Sequence, residues 1–144
     1  MAAKDAGEKR DTAMVEVVIS TDLRAARAAE ERILRAVEAH GYRREATFAI
    51  RLSLEEAITN AVKHGNGNDR SKHVRLRYHI TDKEAVIYVA DEGPGFNPGT
   101  VPDPTTPPRL SLPSGRGIML MRAYLDEVRY NRKGNEVCLV KKNE

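Results

Sequence analysis

Between Arg51 and Asn66 the chain reads RLSLEEAITNAVKHGN, with Glu56, Asn60, Lys63 and His64 recurring at spacings of three and four residues. On a helix those spacings put a carboxylate, an amide and a cation on one face, flanked by Ala57 and Ala61. Polar groups set among alanines need partners or they cost stability, so a polar ligand or ion is expected there. An amide oxygen joined by phosphate oxygens and waters suits Mg²⁺, which keeps much of its water and seldom takes an all-protein cage. A solvated helix face accounts for the same residues equally well.

Two further stretches could do chemistry. The apolar run AVIYVA (85–90) delivers Asp91, and Glu92-Gly93-Pro94-Gly95-Phe96 follows at once. A carboxylate then stands at a strand end beside two glycines, where backbone can come close to a ligand. Ser114-Gly115-Arg116-Gly117 opens a helix predicted from about Ile118 to Leu125. A glycine-rich turn running into a helix N-terminus presents free N–H groups and a positive dipole end, which favour phosphate. Between these motifs, from Pro94 to Pro113, lie all seven prolines of the chain. No helix or central strand tolerates that density, so a long loop is expected, and its place between two glycine motifs favours a lid at about 97–114.

The elements that must position these residues follow from hydrophobic periodicity. Residues 1–12 are polar, charged and without period, which predicts a flexible N-terminal tail. Ala13 to Ile19 is β-branched and reads as a strand. Ser20, Thr21 and Asp22 offer cap oxygens for a helix from about Leu23 to His40, closed by Gly41. A second helix is predicted from about Glu45 to His64, with His64-Gly65-Asn66-Gly67 as its glycine stop, and HVRLRYHI (73–80) alternates as a half-buried strand. Asp126 to Tyr130 and Glu136 to Lys141 read as a hairpin around Arg132-Lys133-Gly134-Asn135. The order is β-α-α-β-β-α-β-β.

Composition narrows the function classes. With 144 residues, 40% of them apolar, one domain with a real core is expected over 13–144. No apolar run approaches the roughly 18 residues of a membrane span, and MAAKDAGEKRD has no apolar segment behind it. A cytoplasmic location is expected, with no membrane partner. The net charge of +3 arises from well-mixed acids and bases, and aromatics for base stacking are few, which speaks against a nucleic-acid partner. The histidines show no zinc-like spacing, and Cys138, alone in an apolar run, reads as a packed thiol.

Taken in order, Glu-x-x-x-Asn on a helix, Asp-x-Gly-x-Gly after a strand, a long loop and Gly-x-Gly opening a helix resemble the GHKL (histidine kinase-like) ATPase superfamily. EAITNA (56–61) and GRGIMLM (115–121) look most like its small bacterial anti-sigma-factor serine/threonine kinases. The resemblance covers about residues 13 to 141. It implies a Bergerat-type two-layer α/β sandwich, a mixed sheet with helices packed on one face. It further implies ATP and Mg²⁺ as cofactors. Asn60 would ligate the metal, Glu56 would act as catalytic base, and Asp91 would accept from the adenine amino group with Gly93 and Gly95 shaping that pocket. Gly115, Arg116 and Gly117 would hold phosphate, as would Lys63. The implied function is an anti-sigma regulatory factor that phosphorylates a STAS-type anti-anti-sigma partner and sequesters a sigma factor. The alternative is a non-enzymatic, ATP-dependent partner-switching regulator. Homodimers are common among the proteins resembled.

Overall fold

The computed structural model describes residues 14–95 and 115–144. The tail expected over 1–12 and the loop expected at about 97–114 lie outside the described residues. Strand β1 (Val15–Ser20) leads into helix α1 (Leu23–Ala39), and α2 (Arg44–Thr59) continues as a π-helix over Asn60–Gly65. Then come β2 (His73–Ile80), β3 (Glu84–Ala90), α3 (Gly115–Tyr124), β4 (Glu127–Tyr130) and β5 (Glu136–Lys142). This is the order predicted from periodicity. Of the three cap candidates, Asp22 caps α1, accepting from the Arg24 N–H at 3.1 Å. Thr21 is buried instead and donates its hydroxyl to the Lys72 carbonyl at 2.8 Å.

The five strands form one sheet in the order β1-β2-β3-β5-β4, antiparallel at every pairing. A mixed sheet was expected, and the difference has a simple origin. β3, α3 and β4 make a crossover whose two strands run the same way, but β5 folds back from β4 and fills the gap between them. The parallel relation survives between non-neighbours, and every hydrogen-bonded ladder is antiparallel.

Alternation in HVRLRYHI sends Val74, Leu76, Tyr78 and Ile80 into the core. They meet Ala85, Ile87 and Val89 of β3 and the helical residues Ile33, Leu34, Val37, Ile50, Leu54, Ile118 and Met121. Each large aliphatic side chain buried this way contributes about 1.5–3 kcal/mol, and together they fix both long helices on one face of the sheet. The opposite face is polar at its centre. Glu16, Arg77, Tyr88, Cys138 and Arg129 stand opposite one another across all five strands. The Arg77 guanidinium lies 4.5 Å from the Tyr88 ring centroid, and Cys138 is a buried free thiol that takes a hydrogen bond from Arg129 at 3.7 Å.

Candidate functional site

Where the π-helix, the end of β3 and the β4–β5 hairpin meet, an open cavity of about 430 Å³, counting its mouth, enters the molecule. The helix supplies Ala57, Asn60, Ala61, His64 and Gly65, the end of β3 supplies Asp91 and Gly95, and the hairpin supplies Tyr130 and Gly134 to Val137. The π-turn arranges the helical wall. The Asn66 N–H donates to the Ala61 carbonyl, five residues back, at 2.8 Å. Such turns are strained relative to α-helix and concentrate at functional sites.

Asn60 is buried, and among the described residues its Nδ2 has no hydrogen-bond partner of normal geometry. Glu56, one turn earlier, is half-buried. Burial pushes its carboxyl up from the ordinary carboxylate range, while the nearby Asn60 amide and His64 pull it down. On its other side stands Gly117, where a Cβ would overlap the Glu56 carboxylate. Tyr130 is half-buried nearby, its phenol pushed well above the usual range by burial, with Arg122 and Glu56 as its charged neighbours. The start of α3 thus meets α2 at Glu56, one turn from Asn60.

Asp91 closes the cavity from the sheet. Burial raises its carboxyl to about 6, against the lowering effects of the Gly93 N–H, Lys72 and Lys133. The Gly93 N–H donates to Oδ1 at 2.7 Å, and the Asp91 N–H donates to the Asn135 carbonyl at 2.9 Å. The π-helix and the β3 end touch through two glycines. A Cβ on Gly65 would overlap the Asp91 carboxylate, and one on Gly93 would overlap the Gly65 carbonyl. A carboxylate kept half-desolvated at the base of a cavity matches a group that accepts a hydrogen bond from a ligand.

Of the residues singled out from sequence, Asn60, Asp91 and Gly95 line the cavity. Glu56 stands beside Asn60 and Gly117, Gly93 is buried against Gly65, and Gly115 is the first residue of α3. Arg116 follows Gly115 in the first turn of α3. Lys63 lies elsewhere: it is exposed and faces a groove between α1 and α2 with Leu23, Arg27, Glu30, Glu55 and Thr59. Sequence reasoning missed Gly65, Asn66, Tyr130 and the hairpin wall. HGNG was read only as a helix stop and RKGN only as a turn, although both are glycine- and asparagine-rich segments beside a motif. Among the described residues no group of three or more His, Cys, Asp or Glu could hold a metal ion. The amide oxygen of Asn60, not its Nδ2, is the atom that would ligate a metal drawing most of its ligands from phosphate and water.

The chain belongs to the histidine kinase-like ATPase domain family, whose model matches residues 19–141. The chain is similar to a Clostridium novyi protein named anti-sigma F factor, with 30% identity over 65% of this chain and 68% of that one. It is also similar to the Bacillus subtilis serine-protein kinase RsbW, with 31% identity over 70% of this chain and 68% of that one. A solved Mycobacterium tuberculosis structure of RsbU and RsbW domains shares the fold at a TM-score of 0.61 and 15% identity. That match covers 92% of this chain, which spans about a third (32%) of the solved one.

Proposed function

We propose that the chain is a Mg-ATP-dependent protein serine/threonine kinase acting in anti-sigma regulation, with a STAS-type anti-anti-sigma protein as phosphoacceptor and a sigma factor as its second partner. The observation that carries it is the placement of Glu56, half-buried one helical turn from Asn60 and packed against Gly117 at the start of α3. A carboxylate held at that point can take the proton of an attacking hydroxyl. The relatives named anti-sigma F factor and serine-protein kinase support the partner class.

Asp91 accepts from the exocyclic amine of adenine, with Asn135 and Gly65 fixing its position. Guanine offers a carbonyl oxygen at the corresponding place and is rejected. Asn60 would hold Mg²⁺ through its amide oxygen, and the metal would spread the charge of the transferring phosphoryl group. Glu56 orients the serine or threonine hydroxyl and accepts its proton as the hydroxyl oxygen bonds to the γ-phosphorus and ADP departs. The N–H groups opening α3 face negative charge at a dipole's positive end. Lys63, on the groove side of the helix, takes no part in these steps.

The test incubates the protein with γ-labelled ATP, Mg²⁺ and a STAS-type partner, beside Glu56→Gln. Label is expected on a serine or threonine of the partner, falling by about 10²–10⁴-fold in the variant while ATP affinity holds. Absence of transfer with wild-type protein, or equal transfer by the variant, refutes the kinase assignment.

A further inference from the structure

Asn66 lies just past the π-helix and is 2% exposed, among the most buried polar side chains described. Its Nδ2 donates to Thr21 Oγ1 and to the His73 carbonyl, both at 3.0 Å. Its Oδ1 accepts the Glu92 N–H at 2.8 Å. The partners fix the orientation of the amide: Thr21 spends its own proton on the Lys72 carbonyl, so its oxygen is an acceptor here, and a backbone N–H can only donate. One side chain therefore joins the β1–α1 junction, the start of β2 and the residue after Asp91, while its backbone N–H closes the last π-turn.

Asp91 hangs between two such ties. Its own N–H is held by the Asn135 carbonyl and the next N–H by Asn66. The Glu92 carboxylate adds a hold from the outside by accepting from the His73 N–H. The carboxylate and its loop meet the π-helix closely at Gly65 and Gly93. The separation of the Asp91 and Asn60 walls of the cavity is set by this close glycine contact together with the hydrogen bonds, and Asn66 makes those that connect the π-helix to the loop.

We infer that Asn66 is a positioning residue for adenine recognition, holding Asp91 at the depth and angle at which its carboxylate meets the base while touching no part of the nucleotide itself. The inference rests on the reading of the cavity as an ATP site. Thr21→Val serves as the structural control: it removes the hydroxyl's bonds to Asn66 and to the Lys72 carbonyl but leaves the bond between Asn66 and Glu92.

Calorimetric titration with ATP and with GTP, at a temperature where circular dichroism shows all variants folded, separates the roles. Asn66→Ala is expected to raise the ATP Kd at least tenfold and to shrink the preference for ATP over GTP by a similar factor. Thr21→Val is expected to stay within twofold of wild type in both. Asn66→Ala binding ATP within twofold of wild type overturns the inference, as does an equal loss in both variants, which would mark a purely structural role. Wild-type protein that binds no ATP removes the cavity reading itself and the inference with it. The Glu92 amide in unliganded wild-type protein gives a second measurement that needs no variant. Hydrogen-exchange protection like that of the β2 and β3 core amides is expected, and exchange as fast as an open loop overturns the inference.

Discussion

Asp91→Asn sets function against stability at one atom. Burial moves the carboxyl from 3.8 to about 6, and 1.36 kcal/mol accompanies each decade in the proton equilibrium, so ionised Asp91 carries a cost of at most about 3 kcal/mol. Solvent reaches part of the carboxylate, and screening reduces the figure by about half, leaving roughly 1–1.5 kcal/mol. Because the native carboxyl is the weaker acid, the folded chain holds this proton more firmly than the unfolded chain does. The cost is absent below about pH 4, accrues as pH rises from about 4 to 6, and is complete above that. Asn keeps an oxygen for the Gly93 N–H and has no charge to desolvate. At pH 8 the variant should therefore melt about 3–6 °C above wild type, and at pH 4.5 the gain should largely vanish. The same variant should lose measurable ATP binding, because an amide in this place can turn its donor toward the adenine amine. Thermal scans at the two pH values and an ATP titration at pH 8 give the result together. A variant less stable than wild type at pH 8 that still binds ATP refutes both the desolvation account and the role given to the carboxylate.

Gly65→Ala places a methyl group where the Asp91 carboxylate stands, so the π-helix and the β3 end must part; ATP affinity should fall at least tenfold and stability by about 1–3 kcal/mol, read by titration and denaturant unfolding. Ser53 is 1% exposed with no partner for its hydroxyl among the described residues, so Ser53→Ala should stabilise the protein by about 1 kcal/mol without altering ATP affinity, as a melting curve and the same titration would show.

Much of the architecture was legible because its period is strong. Strict alternation over His73–Ile80 located β2, and the run of apolar residues closing on Asp91 located β3 together with its terminal acid. The cap oxygens and Gly41 bounded α1 to within a residue, and α2 starts one residue before the expected Glu45 with no side-chain cap. What sequence could not show is what depends on contacts between distant segments. Counting by threes and fours grouped Lys63 with His64 on one face, but a π-turn has more than four residues, and it leaves His64 on the cavity wall while Lys63 faces α1. The antiparallel character of the sheet turned on where β5 inserts, which no local pattern encodes. Asn66 stood in a glycine-rich stop signal, and its partners Thr21, His73 and Glu92 are scattered along the chain.

The insertion of β5 between β3 and β4 also has a consequence for how the protein is made. The cavity is walled on one side by Asp91 at the end of β3 and on another by Asn135 to Val137 at the start of the last strand. A chain emerging from the ribosome can form α1, α2 and the β1–β2–β3 meander first, since those contacts are sequential. The pairing of β3 with β5 spans a long loop closure and comes late. Until it forms, Asp91 lacks the carbonyl that holds its N–H, and no growing chain can capture nucleotide early. On the proposed reading of the cavity, its walls are complete only once β5 has paired, and nucleotide would stabilise chains in which all five strands are in place.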